Sequence, residues 1–199
     1  MTTHKATTSP TVQPNVVYFV RHGATELNLQ GIRCGGDLDV VLSDLGRDQA
    51  MRIAGQIRAM KLDVGVILTS ALLRTRETAI IVSEMLGGLP IVIDPLLNER
   101  SLGEWNRQPH AANEHLLRSG ATPPGGESDQ AFTARIDQAL EGLVMHLPAR
   151  PLVVGSSGVG RVLNNLLGGA GRLQLANGEI THFKIERDRH SLTISKEMP

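Results

Sequence analysis

The chain has 199 residues, and its 20 basic residues balance 20 acidic ones, so its formal net charge is zero. This length suits one domain with a sizeable core, and the charge balance disfavours nucleic acid and anionic membranes as partners. Any anion site must therefore be local. Cys34 is the single cysteine, which excludes an internal disulfide, and no stretch approaches the roughly 20 apolar residues of a membrane span. We expect a cytoplasmic protein without a metal ion or cofactor.

The first 15 residues are rich in threonine and proline, lack an apolar segment, and predict a disordered tail. The remaining residues, 16–199, predict a single domain in which short β-branched runs alternate with longer helical segments. This alternation predicts an α/β fold, a three-layer α/β/α sandwich with a mostly parallel sheet. The predicted strands cover 16–20, 64–69, 91–93 and 152–154.

Three segments carry apolar residues at helical spacing and predict helices that pack on this sheet. Ser43 is a good N-cap for the first, and Gly87 with Gly88 ends the second. Residues 179–194 predict one or two final strands, whose direction the mixed polarity does not fix. The predicted helices cover about 43–60, 71–86 and 128–147.

The segment at about 95–127 interrupts this alternation with two zones rich in proline and glycine. The residues between these zones predict a short helix near 110–118. Long irregular connections in compact domains are often functional. We interpret the segment as an insertion that acts as a lid over the edge of the sheet.

The residues that follow the strands are the ones most suited to chemistry. In open α/β sheets, ligands bind outside the carboxyl ends of the strands. Arginine forks and helix N-termini both suit phosphate oxygens, so the residues at these ends predict a phosphate-binding cleft. They are Arg21 and His22, then Ser70 and Arg74, then Glu99, and finally Ser156 and Ser157 in a glycine-rich helix start.

Five segments, in the correct order, resemble the histidine phosphatase superfamily, the phosphoglycerate mutase-like group. The segment RHGATELN carries the Arg-His-Gly signature followed by Thr25 and Asn28. The other four are LSDLGRDQA, SALLRTRETA, LLNERSLGEW with Glu99, and PPGGES. A lone Arg-His-Gly is weak evidence, but five ordered matches over about 16–187 are specific.

The resemblance implies a phosphatase that acts on a small phosphorylated metabolite in two steps. His22 would attack the phosphorus and become a phosphohistidine, while Glu99 would protonate the leaving alcohol and then activate water. Arg21 and Arg74 would hold the phosphoryl oxygens, with Asn28 assisting. The arginines supply the positive charge, so the resemblance implies no metal.

One departure from the family pattern concerns Ser156. The family's last segment resembles VVSHGGVIR, and here it is VVGSSGVGR, so Ser156 stands at the position of the second histidine. A neutral hydrogen bond contributes about 0.5–1.5 kcal/mol against about 1.5–3 for one to a charged group. We therefore expect a weakened enzyme in which Ser156 and Ser157 donate to phosphate. Three other histidines could compensate: His110, His115 and His182.

Three alternatives follow from the same residues. A serine hydrolase is disfavoured because neither Ser156 nor Ser157 has the Gly-x-Ser-x-Gly register. A phosphate-binding or regulatory protein without catalysis is the main alternative, because the second histidine is missing. A mutase-type phosphotransferase ranks lower, because the chain is short and its lid lacks the extra basic residues that such mutases share. Homodimer formation is left open by the sequence.

Overall fold

The computed structural model describes residues 15–169, 173–188 and 191–195. The predicted tail lies outside these ranges, apart from Asn15, which begins the first strand. The strands are β1 (Asn15–Arg21), β2 (Val66–Thr69), β3 (Ile91–Ile93), β4 (Pro151–Gly155), β5 (Ile180–Asp188) and β6 (Ser191–Ser195). The helices are α1 (Glu26–Leu29), α2 (Asp44–Ala59), α3 (Leu73–Met85), α4 (His110–Arg118), α5 (Asp129–Val144) and α6 (Ser157–Leu166).

The described strands form one sheet in the order β3-β2-β4-β1-β5-β6. The pairs β1 with β4, β2 with β4, and β2 with β3 are parallel, whereas β5 and β6 join antiparallel at one edge. The mostly parallel sheet is thus confirmed, and the final strands run antiparallel. Arg21 pairs with Gly155, so the carboxyl ends of β1 and β4 lie side by side.

Helices cover both faces of the sheet, and β4 shows this residue by residue. Val153 packs into a core cluster that contains Phe132 of α5 and Leu163 of α6. Leu152 and Val154 point to the opposite face, where they pack with residues of α2 and α3 in a second cluster. The predicted three-layer sandwich is therefore confirmed.

The helix boundaries differ from the prediction by a few residues. Ser43 is the N-cap of α2, as expected, and its Oγ accepts a hydrogen bond of 3.1 Å from the Gly46 amide. The third helix was expected to reach residue 147 but ends at Val144. Pro148 has no N–H to donate to the carbonyl of Val144, and a short 3₁₀ turn over Leu147–Ala149 follows instead.

The segment predicted as a lid contains α4 and two 3₁₀ turns, Pro95–Leu97 and Gly103–Trp105. Asp37 ties it to the loop after α1, because its carboxylate accepts hydrogen bonds from the Leu102 and Gly103 amides, both at 2.9 Å. Burial alone would raise the pKa of Asp37, but these amides and the Asn106 side chain outweigh it and lower the pKa. Whether the segment moves as a lid stays a prediction.

None of the helices in the described ranges combines the length and the apolar character that a membrane span requires.

Candidate active site

A cleft of about 730 Å³ lies at the carboxyl edge of the parallel strands. Seven of the residues that the sequence analysis selected line this cleft, whereas Ser70, also named there, is outside the lining and its Oγ lies 2.6 Å from Thr75 Oγ1. The seven are Arg21, His22, Asn28, Arg74, Glu99, Ser156 and Ser157. The structure therefore brings together side chains that are up to 136 residues apart in the sequence, because the strand ends that carry them meet at one edge.

His22 is buried, with 3% of its surface exposed, and its orientation is fixed from both sides. Its backbone N–H donates to the Gly155 carbonyl at 2.9 Å, and its own carbonyl accepts from Asn177 Nδ2 at 2.9 Å. Nδ1 lies 2.6 Å from the Gly23 carbonyl oxygen. A carbonyl can only accept, so Nδ1 carries the proton, and in the neutral ring Nε2 keeps its lone pair.

Glycine follows His22 because the backbone of α2 approaches very closely at this point. A Cβ on Gly23 would lie 2.1 Å from the Gly46 carbonyl oxygen, and a Cβ on Gly46 would lie 2.0 Å from the Ala24 carbonyl oxygen. Ser43 Oγ also donates to the Ala24 carbonyl at 2.9 Å, and the Gly23 amide donates to Thr78 Oγ1 at 3.2 Å. The motifs around Gly46 and Thr78 thus hold the loop that carries His22.

The environment of His22 favours the neutral imidazole. Burial lowers its pKa well below 6.5, and the positive charges of Arg74 and then Arg21 lower it further, against a smaller opposite effect of the Gly23 carbonyl. A buried histidine between two cations is disfavoured in its charged form. His22 is therefore available as a nucleophile at neutral and mildly acidic pH.

Arg21 and Arg74 present guanidinium groups to the cleft without a carboxylate ion pair among the described residues. Arg74 is 1% exposed and donates to the Leu38 and Gly35 carbonyls at 3.0 and 3.2 Å. Arg21 Nη1 donates to the Leu175 carbonyl at 2.8 Å, while its buried Nε has no partner in the described part of the chain. Each guanidinium is thus oriented by neutral carbonyls, and its charge remains available to an anion.

Glu99 is held by backbone amides rather than by a basic side chain. Its Oε1 accepts from the Arg100 amide at 2.7 Å, and its Oε2 accepts from the Gly158 amide at 2.8 Å. Gly158 occupies the second position of α6, where the helix leaves amides unpaired. A Cβ on Gly158 would lie 2.2 Å from Oε1 of Glu99. Glycine at this position therefore lets the carboxylate sit against the helix end.

Arg135 of α5 holds the loop that carries Glu99 through hydrogen bonds to its backbone carbonyls. The Arg135 guanidinium donates to the carbonyls of Leu96, Asn98 and Glu99 at 2.6, 2.9 and 3.4 Å. It also forms hydrogen bonds of 3.0 and 2.8 Å with the Glu127 carboxylate, which belongs to the PPGGES segment. That segment thus contributes to the position of Glu99.

Ser156 is the N-cap residue of α6, immediately after β4, and only 2% of its surface is exposed. A serine at this position usually caps its own helix by accepting from the second or third amide. Its Oγ does not cap α6, and no residue of the described ranges forms a hydrogen bond with it. The Gly158 amide donates to Glu99, and the buried Ser156 hydroxyl, without a partner among the described residues, lines the cleft.

Of the three histidines considered as substitutes, the structure places only His110 in the lining of this cleft. Burial lowers the pKa of His110, with Arg33 adding to the effect. His115 is exposed on α4 outside the lining, and His182 borders a separate apolar pocket with Tyr18. His115 and His182 are therefore poorly placed to replace the missing histidine.

Sequence reasoning did not select Gly158, Arg135 or Asn177. Gly158 acts through a backbone amide and Arg135 through backbone carbonyls, so neither leaves a side-chain pattern that identifies its partner. Asn177 donates to the carbonyl of His22 from a loop before β5. The signal that could have found part of this network was the PPGGES segment, whose Glu127 forms an ion pair with Arg135 at 2.8 Å.

Comparison with known proteins identifies the class. The model of the histidine phosphatase superfamily (branch 1) matches residues 17–196, and the chain belongs to this family. One relative, the "Probable phosphoglycerate mutase GpmB" of Shigella boydii, is 34% identical over 190 residues, covering 83% of this chain and 82% of the relative.

Two solved mycobacterial structures show the same fold. One is a glucosyl-3-phosphoglycerate phosphatase in complex with VO3, with 28% identity, a TM-score of 0.77, and coverage of 92% of this chain and 97% of the other. The second is described as mycobacterial hydrolase 1, with 27% identity, a TM-score of 0.78 and coverage of 94% and 98%. The phosphatase-named structure and the family together support a phosphomonoester hydrolase.

Proposed function

We propose that this chain hydrolyses a small phosphomonoester through a phosphohistidine on His22, with Glu99 as general acid and base and without a metal ion. The observation that carries the proposal is the hydrogen bond from His22 Nδ1 to the Gly23 carbonyl. It leaves Nε2 as the lone-pair nitrogen in a cleft that also contains Arg21 and Arg74. A nucleophile, its orienting group and two cations for the phosphoryl oxygens are then in one place.

In the first step, the Nε2 lone pair of His22 forms a bond to phosphorus, and the bond from phosphorus to the ester oxygen breaks. The leaving oxygen takes the proton of the Glu99 carboxylic acid and departs as an alcohol. The imidazole gains positive charge, which the Gly23 carbonyl stabilises at Nδ1. Arg21, Arg74 and the Ser156 hydroxyl would hold the equatorial oxygens, where the charge of a loose transition state lies.

In the second step, Glu99 is a carboxylate and takes a proton from water. The water oxygen forms a bond to phosphorus, and the bond between phosphorus and Nε2 breaks. Inorganic phosphate leaves, and neutral His22 and protonated Glu99 are restored. The two backbone amides that hold Glu99 would keep it aimed at the same oxygen position through both steps.

Hydrolysis is preferred to mutase-type transfer, although the relatives carry both kinds of name. The chain is short for a cofactor-dependent mutase, and its lid lacks the extra basic residues that those mutases share. Interconversion of phosphoglycerates without release of phosphate would reverse this preference.

One observation favours a second candidate, a phosphate-binding protein without turnover. Ser156 is neutral and short where the family pattern has a histidine, so the cleft offers one charged donor fewer. This candidate predicts that phosphomonoesters bind and are not hydrolysed.

The test is phosphate release from a broad panel of phosphomonoesters at pH 5 to 8, with and without a chelator. We expect turnover by the wild type that His22→Ala abolishes, that His115→Ala leaves intact, and that the chelator does not change. His115 is a suitable control because it is exposed outside the cleft. An acid-labile phosphate on His22 in a quenched reaction should accompany turnover. Binding of panel compounds without turnover would establish the second candidate.

A further inference from the structure

The turn before β5 is built against the end of β1 that carries Arg21. The Glu179 amide donates to the Ala176 carbonyl at 3.1 Å, which closes a four-residue turn. Gly178, the third residue of this turn, has a φ of 78°, a conformation that favours glycine. The Arg21 amide donates to the Glu179 carbonyl at 3.2 Å, and the Arg21 carbonyl accepts from the Gly178 amide at 3.1 Å. Asn177, the second residue of the turn, is therefore held in place at the end of β1.

The side chain of Asn177 has only one orientation that its surroundings allow. Its Nδ2 lies 2.9 Å from the His22 carbonyl oxygen and 3.4 Å from Oδ1 of Asn28. Both of these oxygens can only accept hydrogen bonds, so the group that faces them must be the NH2 group. With the amide reversed, three oxygen atoms would meet without a proton between them. The NH2 group of Asn177 thus connects the loop of the nucleophile to Asn28.

The orientation of the Asn28 side chain follows from the two donors that face its oxygen. Oδ1 of Asn28 accepts from Asn177 Nδ2 and also from the Thr25 amide at 3.1 Å, as part of the capping box of α1. Because the oxygen faces these donors, the NH2 group of the same amide points away from them. Asn28 lines the cleft, and none of the described residues accepts a hydrogen bond from its Nδ2. The NH2 group of Asn28 is therefore left for a ligand.

The orientation of the Asn28 amide decides whether it attracts or repels a phosphoryl group. The equatorial oxygens of that group carry negative charge and accept hydrogen bonds. With its NH2 group toward the cleft, Asn28 donates to one of these oxygens, whereas the reversed amide would present a lone pair to the same oxygen. The Thr25 amide supplies one of the two hydrogen bonds that fix this orientation, and Asn177 supplies the other.

We propose that Asn177 is a positioning residue for the phosphoryl site, which keeps the NH2 group of Asn28 turned toward the cleft as a hydrogen-bond donor. This inference rests on the proposed function, which places the phosphoryl group next to His22. Asn177 does not line the cleft, so it acts through Asn28 and not by contact with the substrate. Its second hydrogen bond, to the His22 carbonyl, gives the donor and the nucleophile a common support.

Asn177→Asp tests this role with almost no change in side-chain size. The aspartate has an oxygen in place of the NH2 group, so it can accept a hydrogen bond from Asn28 but cannot donate one. A hydrogen bond to a carboxylate outweighs the neutral one from the Thr25 amide, so we expect Asn28 to reverse and to present its oxygen to the phosphoryl group. For phosphate release from p-nitrophenyl phosphate, kcat/KM should fall by about 30-fold or more. Asn177→Ala, which leaves Asn28 to the Thr25 amide alone, should cost about three- to tenfold.

An Asn28→Ala background separates this role from every other effect of Asn177. No amide remains there to be reversed, so the loss that Asn177→Asp causes should be smaller by at least about fivefold than in the otherwise wild-type protein. A smaller difference would mean that Asn177 acts through its charge or through the His22 loop, and it would overturn the proposal. An Asn177→Asp enzyme with unchanged kcat/KM would overturn it as well.

Two further variants complete the test. Gln56→Glu adds the same charge on the exposed surface of α2, outside the cleft, and should leave kcat/KM unchanged. If Asn177→Asp does not fold, the same comparison is made with Asn177→Ala, whose smaller effect should disappear in the Asn28→Ala background. An Asn177→Ala effect that persists there would count against the proposal.

A failure of the proposed function gives a different result, namely a wild type without turnover. The dissociation constant of inorganic phosphate, measured by calorimetry, then replaces kcat/KM. We expect Asn177→Asp to raise this constant by at least about fivefold more in the otherwise wild-type protein than in the Asn28→Ala background. A smaller difference, or no measurable binding of phosphate to the wild type, would reject the positioning role.

Discussion

The carboxyl ends of β1 and β4 lie side by side, but they support the same cleft in different ways. At β1, His22 has its backbone, its carbonyl and its Nδ1 engaged, so a single ring nitrogen remains for chemistry. At β4, the side chain of Ser156 has no hydrogen-bond partner among the described residues. The group that contacts Glu99 there is the backbone amide of Gly158. In the proposed mechanism, the end of β1 acts through a side chain and the end of β4 mainly through main chain. We therefore expect loss of a side chain at β4 to be less damaging than the same loss at β1.

Removing the side chain at each strand end should give the largest contrast. We expect His22→Ala to lower kcat/KM for phosphate release by at least about 10³-fold, since it removes the nucleophile. Ser156→Ala removes one neutral hydrogen bond and should cost no more than about tenfold. Steady-state phosphate release from the two variants checks this contrast. Comparable losses would show that the two strand ends matter equally.

The next largest effect should come from Gly158→Ala. The added Cβ would displace the Glu99 carboxylate, and misplaced acid–base groups typically cost about 10²- to 10⁴-fold. The loss should be larger for an alkyl phosphate than for p-nitrophenyl phosphate, whose leaving group needs little protonation. Alanine suits a helix better than glycine, so unfolding is not the expected cause of the loss.

Gly55→Ala is the matched control for Gly158→Ala, since Gly55 lies in α2 outside the cleft and a Cβ added there has no heavy atom within 4 Å. In a Glu99→Gln background, Gly158→Ala should have little further effect. An undiminished effect in that background would mean that Gly158 does not act through Glu99.

A gain of activity should follow from Ser156→His. An imidazole at this position restores a donor for the phosphoryl group, and one preorganised donor is worth about 10²- to 10³-fold elsewhere. The altered loop will recover only part of this, so we expect a rise in kcat of about tenfold. Ser157→His, one residue further on, should give no rise. A fall in kcat for Ser156→His would show that the β4 end no longer accommodates a histidine.

The smallest expected effect is the pH dependence of the free energy of unfolding that His22 causes. Burial, then Arg74 and Arg21, lower the pKa of folded His22 well below the ordinary 6.5. Below about pH 6.5 the unfolded state binds a proton that folded His22 does not, so the free energy of unfolding should fall as the pH falls. The loss can reach about 1.4 kcal/mol per pH unit.

Urea unfolding at pH 7.5 and 5.5 measures this loss, with His22→Asn as the comparison. The wild type should lose more stability than the variant on acidification. The same shift keeps the nucleophile neutral, so kcat/KM, corrected for ionisation of the substrate phosphate, should hold down to pH 6. Equal losses of stability in both proteins would mean that His22 titrates normally.

The sequence predicted the sheet and much of the cleft because those features leave patterns. Buried β-branched runs marked the central strands to within two residues, and the ends of parallel strands necessarily meet at one edge. His22, Arg74 and Glu99 were therefore predicted to lie together, and the structure places them in one cleft. The direction of the final strands was not predictable, because residues 179–194 mix polar and apolar side chains.

The support of Glu99 was also beyond the sequence. Its carboxylate is held by an amide 59 residues away, and any residue except proline has an amide. Only the close approach of Gly158 distinguishes this amide from others, and that approach is visible in three dimensions alone. Arg135 was hidden for a similar reason, since its partners are mostly carbonyl oxygens.

The attachment of the Glu99 loop to Arg135 has a consequence for how specificity can change. Arg135 of α5 donates hydrogen bonds to carbonyls of this loop. Its guanidinium also lies over the ring of Phe132, 5.1 Å from the ring centre. The loop that carries Glu99 is thus attached to α5, whereas the turn Gly103–Trp105 is attached to the loop after α1 through Asp37. Because the proposed acid–base group is attached to α5, we expect substitutions in α4 to change which alcohol is accepted while the Glu99 loop keeps its position.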